Sequence, residues 1–407
     1  MYILNILIWW FYALSFSLAA PNLPKQEDSN SADVVSVSSL TPIPSSPSTS
    51  SIAVSSSTTA SIPTALRNTT SSAVLEKRYI SYLGIKTTPG VAWPRHPPSN
   101  RVYIRYCYAT QEVRNEVKCL FDQARDLWGE ALGGKASEES GHAIMPTEAK
   151  DESMRPLLCY EDAAGTVWNR YMPADALVIS LVPDEIGDRA TIGYYGTSQK
   201  GKHTLSISQS RMRKQQVHVI AHEFGHVLGM GHEHQRKDRD EHMLFQCDQL
   251  RGFWDAYNKA SVVDIHLKGP AIRERLCTDP EYAARYGFKR ISSYTKIEDS
   301  QSTGFVFDWD SIMLYDSTAG AAGKCFELET WCPLLKKVIN PATGAAQYVR
   351  FQGGRKPSVR DAAFIKQTYP YMPPVAGPNA PVSDQPPVPS VTSAPEPIIE
   401  APMDLTD

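Results

Sequence analysis

The sequence predicts an α/β (α+β) fold: a twisted upper-lobe sheet carrying a long helix, an irregular lower lobe, and a cleft between the two. Three observations predict it. Strand and helix patterns alternate through the first half of the folding region, a helical segment dense in polar side chains follows them, and regular periodicity thins out beyond residue 232. Arg101 to Ala109 alternates as a strand. Val113 to Leu132 then sets Val117, Leu120, Phe121, Ala124, Leu127 and Trp128 at helical spacing. Ala176 to Pro183 is a short apolar run fit for a buried strand, and Thr204 to Ser208 is another, bordering the cleft and open to pairing with an extended peptide. Arg211 to Leu228 is predicted as one helix, with Val217, Ile220 and Ala221 on its apolar side and Ser210 as N-cap. Further on, Ala271 to Arg290 has a helix-like pattern.

The predicted helix ends in His222-Glu223-Phe224-Gly225-His226-Val227-Leu228-Gly229-Met230-Gly231-His232, which is HExxHxxGxxH. Histidines at i and i+4 sit one above the other on a helix face, so His222 and His226 can reach one metal ion. Gly229 enters the left-handed region without a Cβ penalty, stops the helix and lets the chain bring His232 back as a third ligand. Glu223 lies about 100° around the helix from His222, off the ligand axis but close enough to touch a water at the metal. Three imidazoles and an exchangeable fourth position are the arrangement of a catalytic Zn2+ site with one ion. The metal would acidify the water and polarise a peptide carbonyl, and Glu223 would take the proton and pass it to the leaving amine. Neutral histidines are needed for binding, so activity should fall in acid. A bare HExxH is a weak signal; the added Gly and third His make coincidence rare. His218, one turn earlier, reads as a helix-packing histidine, and His234 and His242 as polar residues of the lower lobe.

The run continues as Glu233-His234-Gln235-Arg236-Lys237-Asp238-Arg239-Asp240. From His222 to Asp240 it resembles the signature of the astacin family of zinc metallopeptidases, within the metzincins. Ser311-Ile312-Met313-Leu314-Tyr315 is similar to that family's Met-turn, and Pro357 to Tyr369 to its C-terminal helix. The likeness is good from about Ala174 to Tyr371 and loose from Tyr79 to Met172. It implies the metzincin fold and a secreted, fungal-like member. It also implies His222, His226 and His232 as zinc ligands, Glu223 as catalytic base, Met313 as the apolar floor under the metal and Tyr315 as an oxyanion donor. Glu233 matches a buried glutamate that pairs with the new N-terminus after activation, here Tyr79; the alternative is a surface carboxylate.

Some residues depart from the family. Phe224 to Gly229 looks more like the matrixin branch, although matrixins lack the Glu-His-x-x-Arg continuation and the tyrosine after the Met-turn. The stretch between His232 and Met313 is longer than usual, holds Cys247 and Cys277, and reads as an inserted subdomain beside the cleft.

Composition divides the 407 residues. Residues 1–19 are apolar and end in small residues, a secretory signal; the missing Lys or Arg leaves an uncleaved anchor as the alternative. Residues 20–78 are rich in Ser, Thr and Pro and read as a disordered propeptide with a sequon at Asn68. Lys77-Arg78 marks a proprotein-convertase cut, which makes the chain a zymogen. The pro-region has no cysteine and no Phe-x-Gly-Asp block, so direct capping of the metal has no obvious donor beyond Asp28 and Asp33. Residues 79–371 form the catalytic unit, and 372–407 a Pro-rich disordered tail. All seven cysteines lie in the catalytic unit. In a secreted, extracellular protein they favour disulfides with one thiol left over, Cys325 and Cys332 being near enough to close a small loop.

A net charge of −3 gives no reason to invoke nucleic acid, and beyond the N-terminus no segment is long and apolar enough for stable membrane association. Arg211, Arg213 and Lys214 read as a solvated basic face. The expected partners are protein or peptide substrates and the convertase. The competing functions are a catalytically silent, zinc-stabilised binding module, a wall-attached structural protein, and a metzincin peptidase outside the astacin family.

Overall fold

In the computed structural model the described residues are 90–197, 199–297 and 306–375. The predicted signal, the propeptide, the Lys77-Arg78 cut, the Tyr79 terminus and the tail beyond residue 375 lie outside them.

The first strand, β1 (Val102–Tyr108), alternates as expected. Val102, Ile104, Tyr106 and Tyr108 face the main core, while Cys107 faces a smaller cluster with Cys159 and Val178. Helix α1 (Gln111–Leu132) starts where the Thr110 hydroxyl accepts the Val113 N–H and stops at Gly133, whose φ of 82° only glycine adopts cheaply. Its buried positions, Val117, Leu120, Phe121, Ala124 and Trp128, repeat at helical spacing. Then come β2 (Ile144–Glu148), β3 (Leu177–Val182), the two-residue β4 (Arg189–Ala190) and β5 (Thr204–Ser208). The sheet order is β2-β1-β3-β5-β4, parallel except for β4. Thus β5 is interior; the expectation that it borders the cleft is corrected, because β4 pairs outside it. A Cys107–Cys159 disulfide ties β1 to the loop before β3.

The single predicted helix 211–228 is two. Helix α2 (Gln209–Arg213) ends, Gln215 takes a positive φ of 50°, and α3 (Val217–Val227) begins after Gln216. Ser210 is therefore not the N-cap of the helix that bears the histidines.

The lower lobe opens with α4 (Arg239–His242) and β6 (Met243–Phe245). The insertion is helical, with its own core: α5 (Phe253–Val263), α6 (Gly269–Thr278) and α7 (Pro280–Arg285) bury Phe253, Leu276, Tyr282 and Phe288 together. The helix-like stretch 271–290 breaks at Asp279-Pro280, because proline cannot continue α6 but suits the first turn of α7, which Asp279 caps. A Cys247–Cys277 disulfide closes this subdomain. Strands β7 (Leu334–Ile339) and β8 (Ala346–Val349) complete a second, antiparallel sheet, β6-β7-β8, and α8 (Val359–Thr368) returns to pack on the upper core. Cys325 and Cys332 form the expected small loop, and Cys119 is the one free thiol among the described residues.

The two cores meet at the turn 311–315. Ile312 and Met313 belong to the upper core, Leu314 to the lower, and Tyr315 packs against the lower. The residues singled out in the sequence lie along this seam.

Candidate metal centre and active site

Helix α3 is held at its C-terminal end, where backbone carbonyls lack helical partners. Gly229 has a φ of 95°, its N–H reaches His226 O at 2.8 Å, and Met230 N–H reaches Gly225 O at 3.0 Å, closing a Schellman motif. Trp93 Nε1 donates to Val227 O at 2.8 Å, and the Tyr369 hydroxyl to Leu228 O at 3.0 Å. Trp128 Nε1 fixes the helix from the side through Ala221 O at 2.9 Å. The turn at Gly229 therefore has one geometry, and it returns His232 to the other two histidines.

His222, His226 and His232 converge, with their ligand atoms all within 4.8 Å of one another. Each ring has its Nδ1 against an acceptor: Ile312 O at 2.7 Å, Met230 O at 2.9 Å and Gln235 Oε1 at 2.7 Å, respectively. An acceptor there places the proton on Nδ1 and leaves Nε2 with a bare lone pair. Yet Nε2 of His226 and Nε2 of His232 stand 3.1 Å apart. Two lone pairs do not hydrogen-bond, whereas two nitrogens sharing one tetrahedral ion sit about 3.3 Å apart. Burial adds to this by pushing His222 down to about 4, His226 to about 3 and His232 well below its ordinary value, so all three rings are neutral near pH 7. The donor set fits zinc.

Glu223 is buried beside the histidines, and its Oε2 has no hydrogen-bond partner among the described residues. Burial, then the charge of Asp188, hold its carboxyl well above the usual range. An unsatisfied carboxylate oxygen is costly to keep, and here it stands next to three metal-ready nitrogens.

Met313 is 1 % exposed and underlies α3. A Cβ on Gly225 would meet Met313 Sδ at 2.5 Å, so the glycine inside the motif is what lets the Met-turn come this close. The turn also clips both ends of the ligand set: Ile312 O holds His222, and Met313 O accepts the Glu233 N–H at 3.1 Å. Tyr315 packs beside the ligands, its ring tilted against theirs with centres 4.5 Å from His232 and 5.8 Å from His222. Burial, then the charge of Glu223, raise its phenol above its ordinary value.

Glu233 is buried rather than a surface carboxylate. Its Oε1 takes Arg236 Nη1 at 2.9 Å and the Asp308 N–H at 2.9 Å. Arg236 is fully buried and also makes a two-pronged contact with Asp238, at 2.7 and 2.6 Å. Glu233 thus has a cationic partner inside its own segment. Burial still raises it to about 7, against the opposing pull of Arg236. His234, read as a polar residue of the lower lobe, is fully buried, with its ring 4.4 Å from Tyr315. His218 stays outside the ligand set and turns to Arg355. The basic face is partly paired, Arg211 with Asp188 at 3.0 Å and Arg213 with Asp184 at 3.6 Å.

Two supports escaped sequence reasoning. Asp361, in the first turn of α8, accepts the Ser311 hydroxyl at 2.8 Å, the Ile312 N–H at 2.8 Å and the Ser358 N–H at 2.9 Å, and so anchors the Met-turn. Its signal was the Ser358-x-x-Asp361 spacing of a capping box. Gln235 supports His232; no local pattern marks it, because its other contacts come from residues 292 and 295.

A sheet parallel but for its edge strand β4, a helix presenting two imidazoles and a glutamate, a glycine turn to a third imidazole and a methionine turn beneath them make a metzincin α/β fold, and with it a zinc metalloendopeptidase. The model of the astacin peptidase family matches residues 180–267, which run from β3 through the three histidines to just beyond α5, and the match supports the astacin family. Among solved structures the chain is similar to high choriolytic enzyme 1, a hatching-enzyme zinc protease of the medaka fish Oryzias latipes. That alignment has 18 % identity, covers 68 % of this chain and 94 % of that one, and has a TM-score of 0.40. No curated protein matches the chain.

Proposed function

We propose that this zinc endopeptidase is secreted, is made as a zymogen cut after Lys77-Arg78, and works with one zinc ion held by His222, His226 and His232. The observation that carries the active-site reading is the juxtaposition of three Nε2 lone pairs with the unpartnered Oε2 of Glu223. Zinc, when bound, would polarise the scissile carbonyl and acidify a water. Glu223 would accept the proton at its free oxygen and return it to the leaving amine, a task for which a carboxyl raised by burial is suited. Tyr315 would donate its hydroxyl to the oxygen on which charge develops; the raised phenol stays protonated and able to donate. Met313 would keep the floor of the site dry and the ligand helix at a fixed height. Substrates are protein or peptide chains. Secretion and the propeptide rest on the apolar N-terminus, the Ser/Thr/Pro-rich stretch and the dibasic pair.

The test is to express residues 20–407, let the chain process, and measure zinc content and casein hydrolysis for wild type and Glu223→Ala. The mutant should keep about one zinc per chain and lose roughly 10²-fold or more of the activity. A wild type that holds zinc, is cut after Arg78 and still hydrolyses nothing would instead be a zinc-stabilised binding module.

A further inference from the structure

We propose that Gln235 is a positioning residue for the third ligand, His232, and that the inserted subdomain sets its orientation through the backbone of residues 292–295. The proposal rests on the zinc-peptidase reading and adds to it a dependence of the metal centre on the insertion.

Gln235 is 4 % exposed. One edge of its amide faces two backbone carbonyls, Ser292 O at 3.0 Å and Thr295 O at 2.9 Å. Carbonyl oxygens only accept, so that edge must be the NH2 group and the other edge the oxygen. A flipped amide would set an oxygen against two oxygens in a buried site. The oxygen therefore faces His232 Nδ1 at 2.7 Å, the ring proton stays on Nδ1, and Nε2 is left in the form that binds a metal.

The other two ligands receive the same service from main chain, Ile312 O and Met230 O, whose directions the backbone already determines. Gln235 is the one side chain among the three acceptors, and a glutamine has rotatable bonds that something must hold. The insertion holds them. Four consecutive carbonyls face the residues that follow the third ligand: Ser292 and Thr295 take Gln235, Ser293 takes His234 Nε2 at 2.8 Å, and Tyr294 takes Arg239 Nη1 at 2.6 Å. Ile291 and Tyr294 are buried in the same core as α5, α6 and α7. An insertion that comes loose would free Gln235, and His232 would lose its tautomer and direction together.

The experiment uses the full processed chain loaded with zinc. Zinc affinity is measured by competition with a chromogenic chelator for wild type, Gln235→Met and Gln235→Glu, with the melting temperature of the chelator-stripped chains alongside. Methionine keeps the length and removes both donor and acceptor; glutamate keeps an oxygen for His232. Gln235→Met should bind zinc about 10–100-fold more weakly, the usual effect of losing a partner behind a ligand. Gln235→Glu keeps an acceptor for His232 but sets an oxygen against the two carbonyls, so it too should bind zinc more weakly than wild type. If the affinity of Gln235→Met equals that of wild type, the residue is only packing and the proposal is overturned. Imidazole NMR of the stripped wild type decides the matter even if no variant folds: His232 should keep its proton on Nδ1, and a proton on Nε2 would refute the assignment. A wild type that binds no zinc would sink the peptidase reading itself, and the NMR result would still report on Gln235.

Discussion

Asp361 should support the metal site through the turn beneath it, and the structure gives the size of the effect. Its Oδ2 accepts two backbone N–H groups, from Ile312 and Ser358, and its Oδ1 the Ser311 hydroxyl. Asp361→Ala orphans one buried backbone donor, the Ile312 N–H, and one part-buried donor, the Ser358 N–H, at up to about 1–3 kcal/mol each, so roughly 2–6 kcal/mol at most. At roughly 2–4 °C per kcal/mol for a domain of this size, the melting temperature should fall by roughly 5–20 °C. Because Ile312 O also holds His222, zinc affinity should fall with it. Asp361→Asn behaves differently. Its carbonyl oxygen can accept both N–H groups, and its NH2 then faces Ser311 Oγ, which can accept, so the cost should stay within about 1 kcal/mol. The carboxyl is raised from 3.8 to about 6, by burial first and then by Asp308. Between about pH 4 and pH 6 the folded chain therefore keeps a proton that the unfolded chain has released, and this group's contribution to stability declines as pH rises through that window. Asparagine does not titrate, so from pH 4 to pH 7 the stability of Asp361→Asn relative to wild type should improve. Denaturant unfolding of the three proteins at both pH values measures this. Asparagine as damaging as alanine, or a gap that moves against asparagine with rising pH, would refute the reasoning.

Gly225→Ala should cost about 1–3 kcal/mol, because the new methyl meets Met313 Sδ at 2.5 Å and Trp128 at 3.3 Å in a filled core; an unchanged melting curve would show that the Met-turn is not pressed against the ligand helix. Tyr315→Phe should keep its zinc and lower kcat by about 10²–10³-fold with little change in KM, as expected for a donor used only in the transition state. A change confined to KM would make Tyr315 a pocket wall instead.

The elements and the ligands were legible because their causes are local. Two histidines four apart on a helix, a glycine that can turn at positive φ, alternation in β1 and short buried runs at β3 and β5 are short-range patterns, and period and spacing report them directly. The register of α1 followed from the same periodicity. The break at Gln215 was not visible, because glutamine at positive φ has no pattern of its own and the neighbouring residues are ordinary helix formers. Nor was the place of β5 inside the sheet, since the strand that covers its outer side is two residues long.

By itself the sequence determined which nitrogens could hold a metal, which carboxyl stood beside them and which turn lay below. Only the tertiary structure decided which proton each imidazole carries, what Glu233 pairs with, and what holds the site rigid. Those answers come from Ile312, Gln235, residues 292–295 and Asp361, which lie up to 139 residues from His222 in the chain (361 − 222). Hydrogen bonds across such separations depend on how two cores close along a seam, and no local spacing encodes that closure.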